Sequence, residues 1–165
     1  MENLNFSKAN YDDIPVILSL AEKVWRKYYP DIISVDQIDY MLDMMYSEDA
    51  LEKQMDDGHQ FYIAYEEEHP LGYLSYSKMQ EGNYFLHKFY VDTDQHRKGI
   101  GSLFFDEIFS SIKDLKELRL TVNRKNFKAI NFYFRKGFTI EHVADFDIGN
   151  TFFMNDFILL KNYEL

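Results

Sequence analysis

A short basic, glycine-bearing segment near the middle of the chain has the residue types of a phosphate-binding loop. The segment Arg97-Lys98-Gly99-Ile100-Gly101-Ser102 follows a run of aromatic and β-branched residues and precedes apolar residues at helical spacing. The first turn of a helix has N–H groups without partners and a partial positive charge, and glycine lets a ligand approach the backbone closely. The segment therefore predicts a cradle for a pyrophosphate.

The spacing of these glycines excludes two common nucleotide-binding loops. The chain contains neither G-x-x-x-x-G-K-[ST], which holds a nucleoside triphosphate, nor G-x-G-x-x-G, which is typical of a dinucleotide fold. Two glycines beside basic residues also occur in ordinary strand-to-helix turns, where they only relieve a tight bend. The loop by itself leaves both interpretations open.

The composition predicts one packed domain in a reducing compartment. The 165 residues are 46% apolar and include 15 Phe and 13 Tyr, which argues against disorder. Cysteine is absent, which excludes disulfides, thiolate catalysis and cysteine-based zinc sites. The five histidines show no metal-ligand spacing, so no metal is expected. No basic leader and no apolar run of membrane-spanning length are found, so we expect a cytoplasmic protein without a membrane partner.

The net charge of −10 lies mostly in the first part of the chain. Residues 1–60 carry five Lys and Arg against thirteen Asp and Glu, whereas residues 61–165 carry thirteen against fifteen. Nucleic acid is therefore not expected as a partner, because binding it requires clustered positive charge. An acidic surface attracts a small cationic substrate, and it also serves simply to keep a protein in solution.

Twelve helices and strands can be placed from hydrophobic periodicity and turn residues. Asp12 is predicted to cap the first helix, whose apolar face runs from Ile14 to Tyr28 and which ends at Tyr29-Pro30. The other helices are expected at 35–45, 47–58, after Gly101 with Leu103, Phe104 and Ile108 at helical spacing, and at 126–135, and the strands at 4–8, 60–65, 71–79, 84–91, 117–122, 138–147 and 151–160. The order β-α-α-α-β-β-β-α-β-α-β-β predicts a mixed α/β (α+β) fold with a mostly antiparallel sheet of about seven strands.

Two segments in this order resemble the GCN5-related N-acetyltransferase (GNAT) superfamily. That family pairs a Q/R-x-x-G-x-G/A pyrophosphate loop with a downstream N-x-x-A-x-x-F-Y-x-x-x-G-F helix. Here the loop is His96 to Gly101, and the second segment, Asn126 to Phe138, reads NFKAINFYFRKGF. The resemblance covers nearly the whole chain and implies a single GNAT domain over residues 1–165. His96 stands where the family has Gln or Arg; because the loop acts mainly through backbone amides, we expect this departure to tune affinity.

The resemblance implies acetyl-CoA as cosubstrate. By the family pattern, the backbone of Phe89-Tyr90-Val91 would pair with the pantetheine arm, residues 97–102 would cradle the pyrophosphate, and Asn126 would hydrogen-bond the pantetheine. Tyr133 matches the family's general acid. This role agrees with the chemistry, because an amine that attacks a thioester expels a thiolate, which a nearby phenol can protonate. Aromatic packing is the alternative role for Tyr133.

The general base is less clearly marked. An aliphatic ammonium has a pKa near ~10, so a proton acceptor or a water chain is needed before the amine attacks. Many relatives use a Glu on the central strand, and His87 stands near that position with a side chain suited to proton transfer near neutral pH. Strand side chains alternate, so His87 can equally face away from the site. Asp156 and Glu141 on the closing strands are alternatives.

For the acceptor, the chain is similar to one branch, the bacterial PaiA-type polyamine acetyltransferases. The similarity lies in Met41 to Met55, in Gln60-Phe61-Tyr62-Ile63 and in the Phe-x-x-Gly pattern ending at Gly149. A polyamine needs spaced carboxylates and aromatic faces; the candidates are Asp12, Asp13, Asp36, Asp39, Asp43, Trp25 and Tyr28. Other small amines and protein amines are alternative acceptors, and an idle acetyl-CoA sensor is an alternative function. Family members also form homodimers, so a homodimer is one expected form.

Overall fold

The computed structural model describes residues 3–92 and 99–164. The strands are β1 (Leu4–Lys8), β2 (Gln60–Glu66), β3 (His69–Gln80), β4 (Asn83–Val91), β5 (Glu117–Asn123), β6 (Thr139–Gly149) and β7 (Phe152–Asn162). The α-helices are α1 (Ile14–Tyr28), α2 (Val35–Tyr46), α3 (Glu48–Asp56), α4 (Ile100–Ser110) and α5 (Phe127–Arg135). The seven strands form a sheet in the order β1-β2-β3-β4-β5-β7-β6, in which β4 and β5 are parallel. The predicted element order and the mixed sheet are confirmed.

The chain divides into two units, one formed by residues 1–77 with 88–113 and the other by residues 78–87 with 114–165. In the first unit, a 3₁₀ turn, Tyr11–Asp13, precedes α1, and its cap differs from the prediction. Asn10 caps this turn: its side chain accepts from the Asp12 N–H at 2.9 Å, while the Asp13 carboxylate accepts from the Asn10 N–H at 2.9 Å. The predicted Asp12 cap was wrong because Asn10 and Asp13 have the three-residue spacing of a reciprocal capping box, and α1 itself begins after Asp13, whose side chain makes no cap hydrogen bond to it. Pro15 lies in the first turn of α1, where no N–H is required.

Helices of the first unit cover both faces of its strands. Tyr73 of β3 contacts the Tyr46 ring of α2 at 5.9 Å, whereas Tyr76 contacts Phe109 of α4 at 5.6 Å. Because strand side chains alternate, these two contacts lie on opposite faces of β3. The residues of α1 that are buried are Ile14, Ile17, Leu20, Ala21, Val24 and Trp25.

In the second unit, β7 lies between β5 and β6 and pairs with both in antiparallel register. Leu118, Leu120 and Val122 alternate along β5 and are buried on one face. Arg119 points to the other face, where its guanidinium donates to the Glu141 carboxylate at 2.8 and 3.0 Å and to Glu117 at 2.7 Å. Among residues 3–92 and 99–164, no helix has the length and hydropathy needed to cross a membrane.

Candidate active site

In the first unit, α4 starts directly after Gly99, whose backbone lies in the left-handed region with φ of 104°. A Cβ at this position would meet no atom within 4 Å, so the space around the backbone is open. The Gly99 carbonyl accepts from the Leu103 N–H at 2.9 Å, which begins the helical ladder. First-turn N–H groups have no carbonyl partner within their own helix. An open backbone and a helix start at Ile100-Gly101-Ser102 fit a pyrophosphate. His96, Arg97 and Lys98 lie outside the described residues.

The end of β4, Phe89-Tyr90-Val91, is packed on both sides in the first unit. The Phe89 ring lies 5.8 Å from Phe104 and 6.1 Å from Phe105 of α4. The Tyr90 ring lies 5.4 Å from Tyr73, and its hydroxyl is 3.3 Å from the Tyr29 hydroxyl. Both aromatic side chains therefore contribute to packing, and they hold this stretch of backbone in place.

Lys88 is a buried amine that sequence reasoning missed. Its side chain shares one face of β4 with Tyr84, Leu86 and Tyr90, and only 4% of the residue is exposed. The Nζ lies 4.8 Å above the Tyr46 ring, and burial lowers the pKa of Lys88 to about 8. The two-residue alternation of β4 places Lys88 on the same face as Tyr84 and Leu86, so the sequence could have predicted that Lys88 is buried.

In the second unit, α5 carries two of the predicted site residues. Asn126 caps the helix, its side-chain oxygen accepting from the Ala129 N–H at 3.3 Å. Tyr133 is 7% exposed, and its ring lies 5.4 Å from both Phe132 and Phe138. The short helix thus brings an amide and a phenol onto one rigid element.

His87 and the two carboxyl alternatives also lie in the second unit. The His87 ring is 5.0 Å from Phe85, so it shares the face of β4 opposite to the buried Leu86. The hydrogen bonds from Arg119 lower the pKa of Glu141, which makes Glu141 a weak proton acceptor. Asp156 is 3% exposed, and burial raises its pKa to about 6.

Three of the residues predicted to bind a polyamine have structural partners. Asp13 belongs to the capping box, Asp39 accepts from Arg26 at 2.7 Å, and Trp25 is buried and stacked on Tyr29 at 4.3 Å. Asp12, Asp36 and Asp43 are exposed. Within the described part of the chain, no group of three or more His, Asp or Glu side chains is arranged to hold a metal ion.

Comparison with known proteins identifies both the fold and the family. An acetyltransferase (GNAT) domain matches residues 32–147. A spermidine N(1)-acetyltransferase from Thermoplasma acidophilum is 24% identical over 169 residues, covering 98% of this chain and 99% of that protein.

Two solved structures share the fold over nearly their whole length. The PaiA N-acetyltransferase of Thermoplasma acidophilum, in complex with coenzyme A, superposes with a TM-score of 0.80 at 23% identity, covering 98% of this chain and 99% of that one. A GCN5-related N-acetyltransferase from Rhodopseudomonas palustris superposes with a TM-score of 0.79 at 15% identity, covering 98% and 97%. The acetyltransferase (GNAT) domain matches more than half of the residues of this chain, and the chain therefore belongs to the GNAT family of N-acetyltransferases.

Proposed function

We propose that this protein transfers the acetyl group of acetyl-CoA to a primary amine of a small molecule, with a polyamine as the first candidate. The observation that carries the proposal is the open start of α4 at Gly99, which fits a pyrophosphate, in a chain of the GNAT family. Both comparisons support it: the similar curated protein is a spermidine N(1)-acetyltransferase, and the similar solved structure is in complex with coenzyme A.

In this proposal, the chain holds acetyl-CoA mainly through backbone and amide groups. The backbone of Phe89, Tyr90 and Val91 pairs with the pantetheine arm, and residues 97–102 bind the pyrophosphate. The Asn126 side-chain oxygen caps α5, so its amide nitrogen is the part that donates to the pantetheine.

Tyr133 and His87 are proposed to move the protons. His87 accepts a proton from the amine, directly or through water, so that the neutral nitrogen attacks the thioester carbonyl. The C–N bond forms as the C–S bond breaks, and the Tyr133 hydroxyl protonates the departing sulfur. The phenolate left on Tyr133 then takes the remaining extra proton from the attacking nitrogen, which gives a neutral amide. The proposed partners are acetyl-CoA and a small amine in the cytoplasm, with a homodimer as one possible assembly.

The first test is the release of free coenzyme A thiol from acetyl-CoA with a panel of acceptors. The panel contains spermidine, spermine, diamines, amino acids, an aminoglycoside and a lysine peptide. Turnover with polyamines alone is the expected result. Turnover with another class would retain acetyl transfer but remove the polyamine assignment. Acetyl-CoA binding without thiol release from any acceptor would favour the alternative function, an acetyl-CoA sensor.

The general acid is tested by Tyr133→Phe, which removes one hydroxyl and keeps the ring. If Tyr133 protonates the leaving sulfur, we expect turnover to fall about 100-fold while acetyl-CoA affinity stays within about twofold. Tyr62→Phe is the matched control, since the Tyr62 ring stacks on Tyr76 in the first unit and has no proposed catalytic role. Equal turnover in Tyr133→Phe and wild type would leave Tyr133 with a packing role only.

A further inference from the structure

The buried carboxyl group of Asp156 lies on the same sheet face as His87. Backbone pairing between β4 and β5 runs as far as Leu86 opposite Leu120, so the next residues along the two strands are His87 and Thr121. On the other side of β5, Thr121 pairs with Ile158 and Asn123 pairs with Asp156. Paired residues share a face and successive residues alternate, so His87, Thr121 and Asp156 all project from one face of three neighbouring strands.

Thr121 and Asp156 lie at diagonal positions of the β5–β7 pair, within side-chain reach of each other. The Thr121 side chain is one of the groups that lower the pKa of Asp156. A hydroxyl donates to a carboxylate and accepts from an imidazole or a water at the same time, so Thr121 is suited to connect Asp156 with the β4 side. Burying a carboxylate is costly, and a carboxylate retained at 3% exposure is an unusual feature of a strand interior.

We infer that Asp156 receives the proton released by the acceptor amine, along a path that runs from His87 through the Thr121 hydroxyl. The inference rests on the acetyl transfer proposed above. In this path the amine gives its proton to one imidazole nitrogen, the other nitrogen passes its proton to Thr121, and the Thr121 proton moves to Asp156. One bond to hydrogen breaks and one forms at each step. The ammonium becomes a neutral amine, and the carboxylate becomes a carboxylic acid that later returns the proton to solvent.

The surroundings of Asp156 determine its basicity. Burial makes it a stronger proton acceptor than an exposed carboxylate, since its pKa is raised to about 6. The Arg124 guanidinium and the Thr121 side chain oppose that rise, while the Asp145 carboxylate adds to it. The charged groups to be considered are Arg124 from the connection after β5, Asp145 from β6, His87 from β4, and the ion-paired Arg119 and Glu141 on the same face.

The test is the pH profile of kcat/KM for the best acceptor of the panel, measured for wild type and four variants. Asp156→Asn should lower kcat/KM about 100-fold at pH 7.5. Thr121→Val removes the hydroxyl that carries the proton, so it should lower kcat/KM about as far, whereas Thr121→Ser keeps a hydroxyl and should stay within about fivefold of wild type. Asp145→Asn removes a charge that raises the pKa of Asp156, so the fall of activity towards low pH should move to lower pH. Acetyl-CoA affinity should stay within about twofold of wild type in all four variants.

The two Thr121 variants separate a proton path from a structural role. If Asp156→Asn fails to fold, the Thr121 and Asp145 variants still decide the question, because a packing defect would be smaller in the isosteric Thr121→Val than in Thr121→Ser, which is the reverse of what the path requires. A kcat/KM within twofold of wild type in Asp156→Asn or Thr121→Val, or an unchanged pH profile in Asp145→Asn, would overturn the inference while leaving acetyl transfer in place. Absence of transfer by the wild-type protein would overturn both.

Discussion

At the scale of single residues, burial acts in opposite directions on two charged groups of this protein. It raises the pKa of Asp156 to about 6 and lowers the pKa of Lys88 to about 8, because it disfavours the charged form of either group. The Lys88 ammonium makes a cation–π contact with the Tyr46 ring, and no carboxylate among the described residues forms an ion pair with it. A protonated Lys88 therefore costs stability.

Replacing Lys88 by Met should stabilise the protein at neutral pH. The folded pKa is about 8 against the usual 10.5, so the unfolded chain binds the proton more tightly, and the stability of the wild type rises as pH increases from about 8 to 10.5. Below about pH 8, Lys88 is protonated in both the folded and the unfolded chain, so the full destabilisation from burying its charge is present. Lys88→Met should therefore raise the free energy of unfolding by ~3 kcal/mol at pH 7.

The measurement is urea unfolding of both proteins at pH 7 and at pH 10. The advantage of Lys88→Met should shrink at pH 10, where wild-type Lys88 is neutral. The exposed Lys113→Met is the matched control and should show neither effect. A variant no more stable than wild type at pH 7 would contradict the argument.

At the scale of elements, one side chain combines a structural and a proposed binding role. The oxygen of Asn126 caps α5, the helix that carries Tyr133, while its nitrogen is the proposed donor to pantetheine. Asp is as good a cap as Asn but has no N–H to donate. The two roles can therefore be separated by one substitution.

Asn126→Asp should keep the stability of the protein within a few tenths of a kcal/mol, whereas Asn126→Ala should lose about 1 kcal/mol with the cap. Both variants should bind acetyl-CoA several-fold more weakly, as measured by calorimetry, because both lack the amide donor. Wild-type affinity in the Asp variant would show that the Asn126 amide does not contact the ligand.

At the scale of the whole molecule, the uneven acidic charge bears on acceptor choice. Eight of the ten net negative charges lie in residues 1–60, which include the exposed Asp12, Asp36 and Asp43. Such a surface raises the local concentration of a polycation more than that of a monoamine. Salt weakens this attraction, since the screening length is ~10 Å at 0.1 M ionic strength.

The KM for spermine should therefore rise several-fold between 50 and 300 mM NaCl, while the KM for a monoamine acceptor changes by less than about twofold. The double variant Asp36→Asn, Asp43→Asn should reduce the salt dependence for spermine. Equal salt dependence for spermine and a monoamine would mean that the acidic surface does not recruit the acceptor.

Sequence by itself determined the order of the elements and the two motifs around Gly99 and Tyr133. These features are local: periodicity, turn residues and motif spacing all act within a few turns of chain. The cap at Asn10 was missed because a 3₁₀ turn, Tyr11–Asp13, precedes α1, and only the backbone geometry shows that the chain begins to turn before Asp12.

Only the tertiary structure decided which polar side chains are buried and with which partners. Glu141 and Asp156 are both carboxylates on the closing strands, yet one is bound by Arg119 and the other is buried beside Thr121. Lys88 and His87 are sequence neighbours, yet one is buried on one face and the other lies on the opposite face. These differences arise from strand register and from the elements that cover each face. Both the register and the covering elements depend on residues that are far apart in the chain, so no local sequence pattern predicts which polar side chains are buried and with which partners.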